Sequence, residues 1–218
     1  MAKLHLVIAN KNYSSWSLRP WLAMTMAGLD FDETLIPLDT PDTKKQIAEH
    51  SRAGRVPILH HGKVTIWETL AILEYLAETF PEKNLWPKGK AARAVARSIS
   101  NEMHAGFSGL RNACPMNLRR PQKPVTLNDE TRANIARIEE IWRDCRKTYG
   151  KGGKFLFGRF CNADAMFAPV VARFETYAIP VAKDTKAYMD AVMATKAFQK
   201  WKSAALKETW ILQREEVD

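Results

Sequence analysis

Three short segments combine residue types that can do chemistry. In Asn12-Tyr13-Ser14-Ser15-Trp16-Ser17-Leu18-Arg19, serines fall where a strand gives way to a helix. A hydroxyl there can donate a hydrogen bond to an anion, or it can cap the helix and nothing more. Val56-Pro57 opens a strand. The proline removes a ladder donor, so this is either an ordinary edge or a backbone edge left free for another partner. Glu68-Thr69 stands where a strand turns into a helix. The first N–H groups of a helix are unpaired and carry partial positive charge, which suits a carboxylate. Thr69 adds a hydroxyl donor and Glu68 an acceptor for an ammonium group, so the pair matches the head of an α-amino acid. The alternative is a cap that serves only its own helix.

The surrounding elements must bring these segments together. Lys3 to Ala9 has Leu4, Leu6 and Ile8 at period two with Val7 on the other face, the pattern of a core strand. Ser17 to Ala27 carries Leu18, Trp21, Leu22 and Met26 at helical spacing and stops at Gly28. Phe31 to Leu38 reads as a strand, Pro41 to Glu49 as a short helix. Val56 to His60 and Lys63 to Trp67 read as strands joined tightly at His61-Gly62, and Glu68 to Phe80 as a third helix. A parallel pair followed by an antiparallel hairpin, with helical crossovers, predicts a mixed four-stranded sheet covered by helices. In such sheets ligands settle outside the carboxyl ends of the parallel strands, where the serine turn lies.

Pro81 to Gly89 has the composition of a linker, and no strand pattern follows it. Ala91 to Ala113, Leu127 to Tyr149, Ala163 to Tyr177 and Thr185 to Leu206 read as helices of a bundle. Along the first of these, His104, Ser108 and Arg111 flank a Met103-Phe107-Leu110 stripe. They either line a cleft facing the first half, where Arg111 would favour an anionic ligand, or are ordinary flank residues of an amphipathic helix.

Composition narrows the class. At 46% hydrophobic and 26% charged residues, the 218-residue chain reads as a folded globular protein, and no apolar run approaches the roughly 20 residues a bilayer crossing needs. The opening Met1 to Ala9 is too short and interrupted for a signal peptide. Cys114, Cys145 and Cys161 are odd in number and widely spaced, which suits free thiols in the cytoplasm and neither a disulfide nor a metal framework. The net charge of +9 is spread along the chain without zinc-finger spacing or an aromatic RNA-binding signature. Neither nucleic acid nor membrane is therefore an expected partner.

Taken together, the segments resemble the N-terminal domain of glutathione S-transferases. The Ser-Ser-x-Ser-x-Arg run before an apolar helix ending in Gly28 is similar to the zeta class. Arg55 to Leu59 and Glu68 to Leu76 are similar to the family's glutathione-binding core, and Phe157 to Asp164 resembles its helix-capping motif. The resemblance implies a thioredoxin-like βαβαββα domain over 1–80 that holds glutathione, a linker over 81–90, and an all-helical domain over 91–218. The last would supply the electrophile pocket, with His104, Phe107, Ser108 and Arg111, and the contacts of a homodimer. It also makes Val56-Pro57 a cis-proline strand whose Val56 backbone pairs with the cysteinyl part of glutathione. Glu68 and Thr69 would hold the γ-glutamyl amine and carboxylate, and Arg55 would reach the glycine end. Ser14, five residues before Arg19, would be the activating hydroxyl, with Ser15 as its competitor.

That role is of a feasible size. Lowering a thiol from a pKa of about 8.5 by roughly two units needs about 2.7 kcal/mol, and one hydroxyl donor to a charged acceptor supplies about 1.5–3 kcal/mol. Three departures stand out. No cysteine lies between residues 10 and 17, Trp16 stands where the zeta signature has cysteine, and Cys161 occupies a cap position usually held by Ser or Thr, so Asn162 is expected to help cap. The implied activity is conjugation of glutathione to a small hydrophobic electrophile. A zeta-like maleylacetoacetate cis–trans isomerase and a non-catalytic transferase-shaped binding module are the alternatives.

Overall fold

A computed structural model describes residues 2–217. Strand β1 (Leu4–Ala9) leads into helix α1 (Ser15–Met26), β2 (Phe31–Ile36), α2 (Thr43–His50), the hairpin β3 (Ile58–His61) and β4 (Val64–Trp67), and α3 (Thr69–Thr79). The sheet order is β2-β1-β3-β4, with β1 and β2 parallel and the other two pairings antiparallel. Alternation along β1 does what the sequence pattern requires. Leu4, Leu6 and Ile8 join Leu18, Leu22, Ile72 and Leu76 under α1 and α3, while Val7 packs with Ile36, Ile47 and Ile58 beneath α2. This is a thioredoxin-like domain, and an all-helical domain follows it.

That domain contains α4 (Lys90–Ala105), α5 (Ser108–Ala113), α6 (Asp129–Tyr149), α7 (Asn162–Thr176), α8 (Lys183–Met193) and α9 (Lys196–Ala205). Helix α7 is buried along most of its length and packs on both α1 and α4. Ala23, Leu73, Ala165 and Met166 form a small core at this seam, so the two domains share apolar packing.

Three expectations need correction. The hairpin turns at Gly62-Lys63, with His61 already paired to Val64, because Gly62 supplies the positive φ of 60° that a two-residue turn demands. The helix expected over 91–113 breaks at Gly106, which is extended, and Phe107 sits at φ 60° before α5 begins. A side chain on Gly106 would come within 2.9 Å of the Glu102 carbonyl oxygen, so the close crossing there suits glycine. Asn162 does not cap α7. Its amide donates to the Leu73 carbonyl at 3.1 Å, across the domain seam.

Asp164 serves the cap instead. Its buried carboxylate accepts from Cys161 N–H at 2.9 Å and from Leu156 N–H at 3.0 Å. Burial still pushes this carboxyl up to about 6, against its usual 3.8. Asp164→Ala orphans two buried N–H groups and should lower unfolding free energy by about 2–5 kcal/mol in urea titrations. Because the folded value lies above the unfolded one, stability from this group is full below pH 3.8 and lost as pH rises through about 6. Asp164→Asn should therefore flatten the stability slope across that window.

Candidate active site

The helix that carries the Glu68-Thr69 pair starts without a cap. Glu68 precedes α3 at φ 68°, ψ 127°, and its side chain makes no capping hydrogen bond. The reading in which this pair serves only its own helix therefore fails. Thr69 is buried, and its hydroxyl donates to the Trp16 carbonyl at 3.2 Å, tying the start of α3 to the start of α1. The Val56–Pro57 peptide is cis, and the β3 ladder begins only at Ile58, so the Val56 main chain lies outside it. Arg55, Val56, Pro57, Glu68 and Thr69 border one cavity of about 300 Å³, at the lower end of the usual size of a small-molecule site. His104 and Arg111 close it from the helical domain, and Trp16 and Trp67, neither anticipated as site residues, complete the wall.

Ser14 and Ser15 lie beside this cavity and outside its lining residues. Ser14 is the N-cap of α1. Its hydroxyl donates to Ser17 Oγ at 2.8 Å and accepts from Ser17 N–H at 3.3 Å. Ser15 opens the helix, and its hydroxyl engages none of the groups that hold Ser14. Phe107 and Ser108 also lie outside the cavity. The break at Gly106 turns them off the α4 face, and Ser108 donates instead to Glu130 on α6 at 3.0 Å.

The loop that carries the serines is held from the far end of the chain. Glu208 accepts from Lys11 N–H at 2.6 Å and from Asn12 N–H at 2.9 Å. Trp201 Nε1 donates to the Lys11 carbonyl at 2.9 Å, Asn12 donates to Asn117 at 2.9 Å, and Arg119 donates to the Tyr13 hydroxyl at 2.8 Å. The Tyr13 hydroxyl donates in turn to Glu216. Burial raises the Glu208 carboxyl, and the two N–H donors and nearby Lys11 and Arg119 oppose that shift. No local sequence pattern marks these contacts, since they join residues from 105 to 203 positions apart.

The cavity's charge comes from arginine. Burial lowers His104 below the usual imidazole range, with Arg19 and Arg111 adding to the shift and Glu68 opposing it. Arg111 is half-buried on the cavity wall. Among the described residues, no cluster of three or more His, Cys, Asp or Glu could hold a metal ion, and no helix is long and apolar enough to cross a membrane.

Residues 13–79, which contain the serine turn, the cis-proline edge and the start of α3, match the family described as glutathione S-transferase, N-terminal domain. A maleylacetoacetate isomerase from Rattus norvegicus is 29% identical over 85% of this chain and 87% of its own length. The first domain is thus similar to the N-terminal domain of glutathione S-transferases. A probable maleylacetoacetate isomerase from Caenorhabditis elegans is 35% identical, over 45% of this chain and 46% of that protein. Among solved structures, a glutathione transferase homologue from Burkholderia with bound glutathione superimposes with a TM-score of 0.70 at 22% identity, covering 93% of this chain and 98% of that one. The fold is thus shared nearly from end to end at low sequence identity.

The clamp on the serine loop can be tested directly. Glu208→Ala removes two charge-assisted bonds of about 1.5–3 kcal/mol each. Amide exchange at residues 11–14 should then speed up by at least about tenfold, while exchange in β1 and α3 changes little.

Proposed function

We propose that this protein is a glutathione-dependent transferase that stabilises the glutathione thiolate and directs it at a small electrophile. The observation that carries the reading is the uncapped start of α3 beside the cis Val56–Pro57 edge on one cavity. A γ-glutamyl carboxylate laid on that helix end meets free N–H groups and the positive end of the helix dipole. Glu68 accepts from the ammonium group. The cysteinyl backbone pairs with the free Val56 main chain as an added strand, and Arg55 reaches the glycine carboxylate.

This pose carries the sulfur toward the first turn of α1. Ser15 is the better thiolate donor of the two serines, because the Ser14 hydroxyl already serves Ser17. The positive end of α1 adds about 0.3–1 kcal/mol to that donor. The chain's own cysteines are poor nucleophiles: burial pushes Cys114 up to about 11 and Cys145 up to about 12, and it pushes Cys161 well above the usual thiol range. The reactive sulfur is thus the substrate's. Attack forms the carbon–sulfur bond, and the leaving group departs with the electron pair.

A second reading, glutathione-dependent cis–trans isomerisation of a maleyl-type acid, is favoured by Arg111 on the cavity wall and by relatives named as maleylacetoacetate isomerases. Turnover of maleylacetoacetate compared with a chloronitrobenzene separates the two.

Calorimetry should show glutathione binding, weakened by roughly 10- to 100-fold in Glu68→Gln and Thr69→Ala. Absence of measurable binding at millimolar glutathione overturns the proposal. Titrating the bound thiol by its ultraviolet absorbance should give a pKa raised by about 1–2 units in Ser15→Ala and by less in Ser14→Ala.

A further inference from the structure

Trp16 packs against two arginines, one of them on the cavity wall, that make no salt bridge among the described residues. Its indole lines the cavity, while Arg19 Cζ lies 4.2 Å from the ring centroid and Arg111 Cζ 5.7 Å from it. His104 meets the same ring edge-on at 5.1 Å. Arg19 is fully buried. Its Nε donates to the Met166 carbonyl at 3.0 Å, and both terminal nitrogens lack any partner. The charges that bear on it are those of Arg173 and Arg111, of the same sign. Arg173 is buried too, gives its Nε to the Cys114 carbonyl at 2.9 Å, and leaves Nη1 without a partner. Arg111 donates to the His104 carbonyl at 3.2 Å. Among the described residues, the bonds these three guanidiniums make are therefore to neutral carbonyls.

A buried guanidinium normally finds a carboxylate, because desolvating an unpaired charge is costly. Arg19 has an aromatic face instead, which attracts the cation and supplies no acceptor for its N–H groups. Its planar donor fork is thus unsatisfied, and one side chain thick separates it from the pocket. The indole is held in place: the Trp16 carbonyl accepts from Thr69, and the residue lies in the first turn of α1 between Ser15 and Ser17.

We propose that Trp16 sets the class of the second substrate, by covering a carboxylate-binding subsite made of Arg19 with Arg111 at its rim. With the indole in place the pocket offers a flat aromatic wall and takes flat, uncharged electrophiles. Without it, a carboxylate on the electrophile reaches two guanidiniums in a low-dielectric wall, where such pairing is strong and geometrically selective. The kinetic part rests on the glutathione reading above; the binding part does not.

The test compares two electrophiles of equal size and leaving group, 4-chloro-3-nitrobenzoate and 4-chloro-3-nitrobenzamide. In each, the carbon–sulfur bond forms as chloride leaves, and only the charge of the remote substituent differs. The native protein should favour the amide. Trp16→Ala should raise the benzoate-to-benzamide ratio of kcat/KM by roughly 10- to 100-fold, and added salt should reduce that gain. Adding Arg111→Gln to Trp16→Ala should leave most of the gain, since Arg19 supplies the fork. Calorimetry with 3-nitrobenzoate and 3-nitrobenzamide, without glutathione, reads the same preference independently of turnover. Should Trp16→Ala fail to fold, Trp16→Leu uncovers the same guanidinium and should move both ratios the same way. Unchanged ratios, or a gain equal for acid and amide, overturn the assignment. Loss of glutathione binding with the carboxylate preference still acquired would instead sink the transferase reading and leave this one standing.

Discussion

The arrangement depends on one long-range constraint: the carboxylate of Glu208 closing on the main-chain N–H groups of Lys11 and Asn12. A thioredoxin-like sheet delivers the loop after β1 to the ligand edge, and a loop so placed carries main-chain donors that β1 no longer pairs. Water would satisfy them and leave the loop mobile. Here the helical domain supplies the acceptor, and Trp201, Asn117 and Arg119 fix the neighbouring groups. The serines then begin α1 at one place relative to α3. The Thr69–Trp16 bond makes the same demand from the opposite side, so the cavity is bounded by elements that cannot shift independently.

Two helix starts face this region with different chemistry, and the difference follows from their first residues. Helix α1 is capped by Ser14, which spends one hydroxyl on the helix's own donors. Helix α3 is preceded by Glu68 in a positive-φ conformation that costs roughly 1–3 kcal/mol for a non-glycine residue. That cost is offset elsewhere in the fold, and its result is a helix end that borders the cavity with no side chain capping it. An uncapped start is a defect by the standard of helix stability. At the edge of a pocket it leaves unpaired donors and positive potential, which suit a carboxylate.

The sheet and most helices were legible in the sequence because the signals are local. Leu4, Leu6 and Ile8 alternate along β1, and the composition at 81–89 marks the change from mixed to all-helical structure. The cavity segments at 55–57 and 68–69 were legible for the same reason, since each is a short run at an element boundary. What failed was set by close approach or distance. The break at Gly106 follows from the proximity of the Glu102 carbonyl, and it carried Phe107 and Ser108 away from the cavity that their spacing with His104 and Arg111 had suggested. Asn162 reads as a cap until the seam places the Leu73 carbonyl within its reach. Trp16 passes for a substituted position in a serine run, and only packing shows it as a cavity wall.

The basic balance of the chain acquires a different meaning once its arginines are located. A net charge of +9 reads first as a solvated surface. Yet Arg19, Arg120 and Arg173 are buried, and all three donate to main-chain carbonyls. Cations so placed do not steer distant partners, because the protein surrounds them; their field falls instead on the nearest space of high polarisability. For Arg19 and Arg173, both close enough to Arg111 on the cavity wall to feel its charge, that space is the cavity and the first turn of α1. Under the proposed function, a sulfur carried there as an anion would be favoured by these same charges. The unpaired guanidiniums and the uncapped helix end are therefore two forms of one device, positive potential kept inside the protein at a cost in stability and turned toward a single pocket.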